Sequence, residues 1–157
     1  MPYSENFLRE AIQLSSEKMN SGEGGPFGAV IVKEGKIIGR GWNRVTSAND
    51  PTAHAEIEAI RDACATLGTF SLEGCEIYAS CEPCPMCLSA IYWARLEMLY
   101  FAGSRNDAAD AGFDDAFLYE EVSKEAAFRT LKSSQHLQTE AQHVFTLWNN
   151  KPDKRTY

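Results

Sequence analysis

At 157 residues, with 44% hydrophobic and 24% charged residues, the chain has ordinary globular composition and enough length to bury one core. Its 22 acids outweigh 15 bases to give a formal net charge of −7, a field that opposes a polyanionic partner and so argues against nucleic acid; Lys151, Lys154 and Arg155 read as a solvated basic tail. No apolar run reaches the length of a membrane span and the first residues lack a signal-peptide pattern, so no membrane partner is expected and the expected compartment is the cytoplasm.

In chain order, Phe7, Leu8, Ala11, Ile12, Leu14 and Met19 form a helical stripe from Ser4, a candidate N-cap, to about Asn20. Gly22, Gly24, Gly25 and Pro26 stop that helix. Phe27 to Lys33 reads as a buried strand, Glu34-Gly35 as a tight turn, and Lys36 to Asn43 as the hairpin partner. Arg44 to Pro51 reads as a loop. A second helix is expected from about Ala53 to Leu67, striped by Ile57, Ile60, Cys64 and Leu67 and closed by Gly68. Cys75 to Ser80 should be a strand, Cys84 to Arg95 a helix, Glu97 to Ala102 a strand, and the remainder a helical tail. Strands alternating with helices predict a layered α/β sheet with helices on both faces, part of it parallel.

Two short segments concentrate the chemistry. Thr52-Ala53-His54-Ala55-Glu56 opens the second helix, and Pro83-Cys84-Pro85-Met86-Cys87 opens the third. Cysteines three apart share one helical face, so both sulfurs can reach one ion, and the first turn of a helix favours thiolate. One imidazole and two thiolates leave a tetrahedral position open, as in catalytic rather than structural zinc sites. Glu56, two residues from a ligand, is placed to act as the base. Other readings fit less of the pattern. A redox pair leaves His54 and Glu56 without a role, an iron–sulfur site lacks a fourth ligand, and a structural zinc would need Cys81. Cys81 is taken as structural near the site, and Cys64 and Cys75 as structural cysteines apart from it.

The H-x-E and P-C-x-x-C pair resembles the signature of the zinc nucleobase deaminases, a likeness that runs along most of the chain. It implies a cytidine-deaminase-like three-layer α/β/α fold with a mixed five-stranded sheet, one zinc ion per subunit on His54, Cys84 and Cys87, and Glu56 as the proton shuttle. Within that superfamily, 24–32, 49–56, 80–87, 90–95 and 107–115 look like the bacterial guanine deaminases. Those stretches include Gly24-Gly25-Pro26-Phe27-Gly28 and Asp107-Ala108-Ala109-Asp110-Ala111-Gly112-Phe113-Asp114-Asp115.

The likeness implies hydrolysis of guanine to xanthine and ammonia. It also implies a homodimer of single-domain subunits that exchange the segment from about 139 to 157. Asn43 would hydrogen-bond the purine edge, while Phe27 and Trp93 would line or stack on the ring. Asp115 would be a second carboxylate, and Tyr157 would close the site. Each residue also has a plainer reading: Asn43 as a turn cap, Phe27 and Trp93 as packing, Asp115 as a cap or solvated acid, Tyr157 as a frayed tail. Guanosine, another aminopurine or a triazine is the alternative substrate. A tRNA adenosine deaminase shares the 50–56 stretch but differs at Pro85 and over 107–117, and a deaminase fold without turnover would have little reason to keep Glu56.

Overall fold

The computed structural model describes residues 2–113 and 115–157. The chain divides into two units, Met1–Tyr119 and Glu120–Tyr157. In the first, helix α1 (Glu5–Asn20) is followed by strands β1 (Gly28–Lys33) and β2 (Lys36–Trp42), a one-turn helix α2 (Val45–Ala48), and helix α3 (Ala55–Leu67). Strand β3 (Cys75–Cys81), helix α4 (Pro85–Trp93), strand β4 (Met98–Gly103), helix α5 (Arg105–Asp110) and helix α6 (Ala116–Ser123) complete it, the last turn of α6 passing into the second unit.

The sheet order is β2-β1-β3-β4. Strand β1 is antiparallel to both neighbours, whereas β3 and β4 are parallel across the α4 crossover. The sheet is therefore mixed, as expected, but among the described residues it has four strands rather than five. After β4 the chain enters α5 and α6, and the later 129–137 stretch contains Lys132-Ser133-Ser134-Gln135, too polar to alternate as a half-buried strand.

Alternation along β1 divides the core. Ala29 and Ile31 join Ile77, Leu72 and Ile91 beneath α3, while Val30 and Val32 meet Leu14 of α1 and Tyr78 on the other face. The hairpin turn falls on Glu34-Gly35, both at positive φ, 49° and 73°, where glycine carries no steric penalty. Of the expected aliphatic stripe of α3, Ile60, Cys64 and Leu67 pack half-buried against the core, but the residues it buries most deeply are smaller. Ala55, Ala59 and Ala63 are the buried apolar residues, and they lie against Gly39 and Gly41 of β2. At Gly41 a Cβ would stand 2.1 Å from the Ala55 carbonyl oxygen, so small residues on both elements are what bring α3 onto the sheet. Ser4 precedes α1 without capping it by its side chain; its backbone N–H instead donates to the Tyr78 hydroxyl at 3.3 Å.

Tyr78 is fully buried, stacks on Tyr100 at 4.8 Å between ring centroids, and donates to the buried Glu76 carboxylate at 3.1 Å. Burial above all pushes its phenol up to about 12 from 10. Because the folded value lies above the unfolded one, the folded state keeps its full stability below about pH 10 and loses it as pH rises toward 12. The expected loss is about 2–3 kcal/mol. Urea unfolding across that window should show the decline, and Tyr78→Phe should flatten it; an equally steep decline in the variant would assign the effect elsewhere.

In the second unit Glu121 is buried and accepts hydrogen bonds from the Thr130 N–H at 2.7 Å and the Lys124 ammonium at 2.8 Å, closing the chain around a 3₁₀ turn at Ala126–Phe128. Helix α7 (Gln138–Asn150) then presents Val144, Phe145 and Leu147 to the exterior of the chain, none of them buried.

Candidate active site

Two helix starts build the site. The chain leaves α2 through Asn49 in the left-handed conformation, and Asp50 Oδ1 accepts the backbone N–H and the hydroxyl of Thr52 at 2.8 and 2.7 Å. This side-chain turn keeps residues 52–54 out of the helix, so α3 begins at Ala55 rather than Ala53. His54 is extended at its N-cap position, and Glu56 falls in the first turn. Cys84 occupies the same position before α4, with φ −67° and ψ 168°, and Pro85 fills the first helical position, where its missing N–H costs nothing.

The result is convergence of residues 30 and 33 positions apart. His54 Nδ1 lies 3.6 Å from Cys84 Sγ and 3.5 Å from Cys87 Sγ. All three ligand atoms are within 4.8 Å of one another. A tetrahedral zinc with Zn–S of about 2.3 Å and Zn–N of about 2.0–2.1 Å separates nitrogen from sulfur by about 3.5–3.6 Å. The donor set and its spacing therefore fit zinc, with one position left for a non-protein ligand.

The electrostatics favour the thiolate at Cys84. Cys84 is held down to about 4, chiefly by the Cys87 thiol that donates to it and, against burial, by His54. Cys87 is raised by that same bond and then by burial, and His54 is raised by its bond to Cys84. Glu56 is buried, and burial lifts its carboxyl above the ordinary carboxylate range, toward the value a proton shuttle needs.

These groups open onto a cavity of about 440 Å³. His54, Glu56, Cys84, Asn43, Phe27 and Asp115 all line it, so most of the expected residues come together. Asn43 is buried, and its Oδ1 accepts the backbone N–H groups of Gly25 at 3.1 Å and Val45 at 3.2 Å. Those bonds hold the amide so that its Nδ2 donor is the group available to a ligand. Asp114 lies outside the described residues. Cys81 lines the cavity as well, its thiol raised to about 11 mainly by burial, and is not one of the grouped ligands.

Trp93 is not a lining residue. It ends α4, 63% exposed, and the Arg95 guanidinium lies 5.9 Å from its ring centroid. Nine residues of helix carry it about 13 Å along the axis from Cys84, away from the end that faces the cavity. Tyr157 belongs to the second unit and is exposed there. The apolar walls come from residues the sequence reading did not select: Phe113, edge-on to Phe27 at 4.9 Å, and Val45, Thr46 and Pro51 around α2. An aromatic two residues before a candidate acid was a usable signal for Phe113. Nothing local marks α2 as a cavity wall.

The chain belongs to the family defined by the cytidine and deoxycytidylate deaminase zinc-binding region, which matches residues 1–103. Within that class, it is 54% identical to a guanine deaminase of Bacillus subtilis over 98% of each chain. The X-ray structure of a guanine deaminase from Bacillus subtilis superposes with a TM-score of 0.96 at 52% identity, covering 99% of both chains. A tRNA-specific adenosine deaminase of Aquifex aeolicus is 47% identical, but over 62% of this chain and 64% of its own length. Among the described residues, no helix is long and apolar enough to cross a membrane.

Proposed function

We propose that the protein hydrolyses guanine to xanthine and ammonia. The observation that carries this is one cavity lined by Glu56, by His54 and Cys84 of the cluster that Cys87 completes, by Asn43 and Asp115, and by the Phe27 and Phe113 rings. Near-full-length identity of 54% to a guanine deaminase supports the same substrate. His54, Cys84 and Cys87 would hold zinc, which supplies a Lewis acid that makes water acidic near neutral pH. Glu56 takes the two protons of the attacking water in turn. The first passes to the ring nitrogen as the oxygen bonds to the carbon, and the second, from the resulting hydroxyl, passes to the amine as the C–N bond breaks and ammonia leaves. Asn43 donates from Nδ2 to a ring acceptor, Phe27 and Phe113 enclose the flat ring, and Asp115 assists at the amine.

The subunit acts as one domain within a homodimer, and the segment from about 139 to 157 is exchanged so that Tyr157 closes the cavity. Supporting this, α7 leaves Val144, Phe145 and Leu147 exposed in the single chain. A reducing cytoplasm suits its five free thiols.

The test follows ammonia release and the ultraviolet spectrum of the zinc-loaded protein with guanine and guanosine side by side, on material whose mass is measured by sedimentation. Xanthine from guanine, guanosine untouched, and twice the 17.4 kDa chain mass are expected. Turnover of guanosine would mean a cavity with room for ribose, and a monomer turning over guanine would end the exchange proposal.

A further inference from the structure

The turn carrying Cys84 is held by groups outside the proposed chemistry. The Tyr119 hydroxyl donates to the Pro83 carbonyl at 2.8 Å. The Arg105 guanidinium lies 4.1 Å over the Tyr119 ring, and its Nε donates to Glu82 Oε1 at 3.2 Å. Glu82 Oε2 accepts the Arg105 backbone N–H at 2.9 Å, and the Glu82 N–H donates to the Gly103 carbonyl at 2.8 Å. Tyr119 itself is held by the first turn of α6, its backbone N–H donating to the Asp115 carbonyl at 3.1 Å. The Tyr119 side chain thus reaches from α6 to grip the peptide that precedes a candidate metal ligand.

We infer that Tyr119 is a positioning residue, whose hydroxyl fixes the Pro83–Cys84 peptide from α6, so that the Cys84 thiolate keeps its place at the cavity. The physical case is torsional. The Pro83 carbonyl and the Cys84 N–H share one rigid plane, so anchoring that oxygen limits rotation about the bond that aims Cys84 Sγ. A half-buried phenol needs an acceptor, and here the acceptor is the backbone next to the ligand. Burial also raises the phenol pKa, keeping it a donor. Arg105 and Glu82 hold the ring in line. Groups of this kind, orienting ligands without touching the ion, commonly alter metal affinity about 10–100-fold when removed.

The inference rests on the zinc-site reading, and its test separates the two. Zinc affinity by chelator competition, the visible spectrum of the cobalt-loaded protein, and kcat and KM for guanine are measured for the wild type and for Tyr119→Phe, which keeps the ring. Zinc affinity should fall about tenfold or more. The cobalt bands should shift, and kcat should drop while KM stays near the wild-type value. A wild type that loads one zinc alongside a Tyr119→Phe variant with the same affinity, spectrum and kcat overturns the inference alone. A wild type that takes up no zinc overturns both readings. Should Tyr119→Phe fail to fold, Arg105→Lys, which loosens the ring without removing the phenol, should move affinity and spectrum in the same direction, and unchanged values there would count against the role.

Discussion

Replacing Glu56 with glutamine is expected to remove turnover while leaving zinc in place. Glutamine keeps the size and the hydrogen-bonding reach of the buried side chain but cannot accept a proton. The loss in kcat should be at least about 10²–10⁴-fold, the range of a single general acid–base group. The loss should reach the upper end, because the same carboxylate is assigned both the uptake and the delivery of protons. Zinc content should stay near one per chain, since the proposed ligands are His54, Cys84 and Cys87, which meet without Glu56. Steady-state assays with metal analysis decide this. Substantial activity in zinc-loaded Glu56→Gln would transfer the shuttle to another acid, with Asp115 the first to examine because it lines the same cavity. Lost zinc together with lost activity would instead make Glu56 part of the metal site's architecture.

The second large effect lies away from the chemistry. Gly41→Ala is expected to destabilise the protein by about 3 kcal/mol or more, because the added methyl meets backbone rather than a yielding side chain. Its Cβ would stand 2.1 Å from the Ala55 carbonyl oxygen, 2.3 Å from the Ala59 nitrogen and 3.0 Å from the Ala59 Cα. Relief requires α3 to lift from β2 at its first turn, between His54 and Glu56 on one side and the core on the other. A fall in Tm of roughly 6–12 °C should therefore come with weaker zinc retention. Gly103→Ala is the control, since its Cβ would make only ordinary contact, 3.4 Å from the Ser80 carbonyl oxygen. Equal melting temperatures for the two variants would mean that the α3–β2 contact is more compliant than this packing implies.

The order of elements and the ligand set were legible in the sequence because both are governed by short-range rules. Helical and strand periodicities extend over a few residues, and cysteines three apart at a helix start share a face whatever surrounds them. Cys84 and Cys87 pair on that basis, the resemblance to the zinc deaminases joins His54 and Glu56 to them, and the His54, Cys84 and Cys87 ligand atoms do meet. The buried face of α3 was legible in part, since Ile60, Cys64 and Leu67 of the expected stripe do pack on the core. Hydrophobicity does not point to Ala55, Ala59 and Ala63, which close approach to a glycine-bearing strand makes the most deeply buried residues of the helix. The fifth strand and the stacking position of Trp93 came from family resemblance. The four-stranded sheet and the length of α4 do not supply them in the described chain.

What the sequence by itself determined is the chemistry available: one imidazole, two thiolates and a carboxylate, each at the start of a helix. Only the tertiary structure decided which of the other side chains share their cavity. Phe113 against Phe27, the α2 wall, Asn43 locked through Oδ1, and Tyr119 on the Pro83 carbonyl all depend on contacts between segments distant in sequence. The closeness of α3 to the sheet is likewise tertiary, because it is set by excluded volume where Ala55, Ala59 and Ala63 meet Gly39 and Gly41.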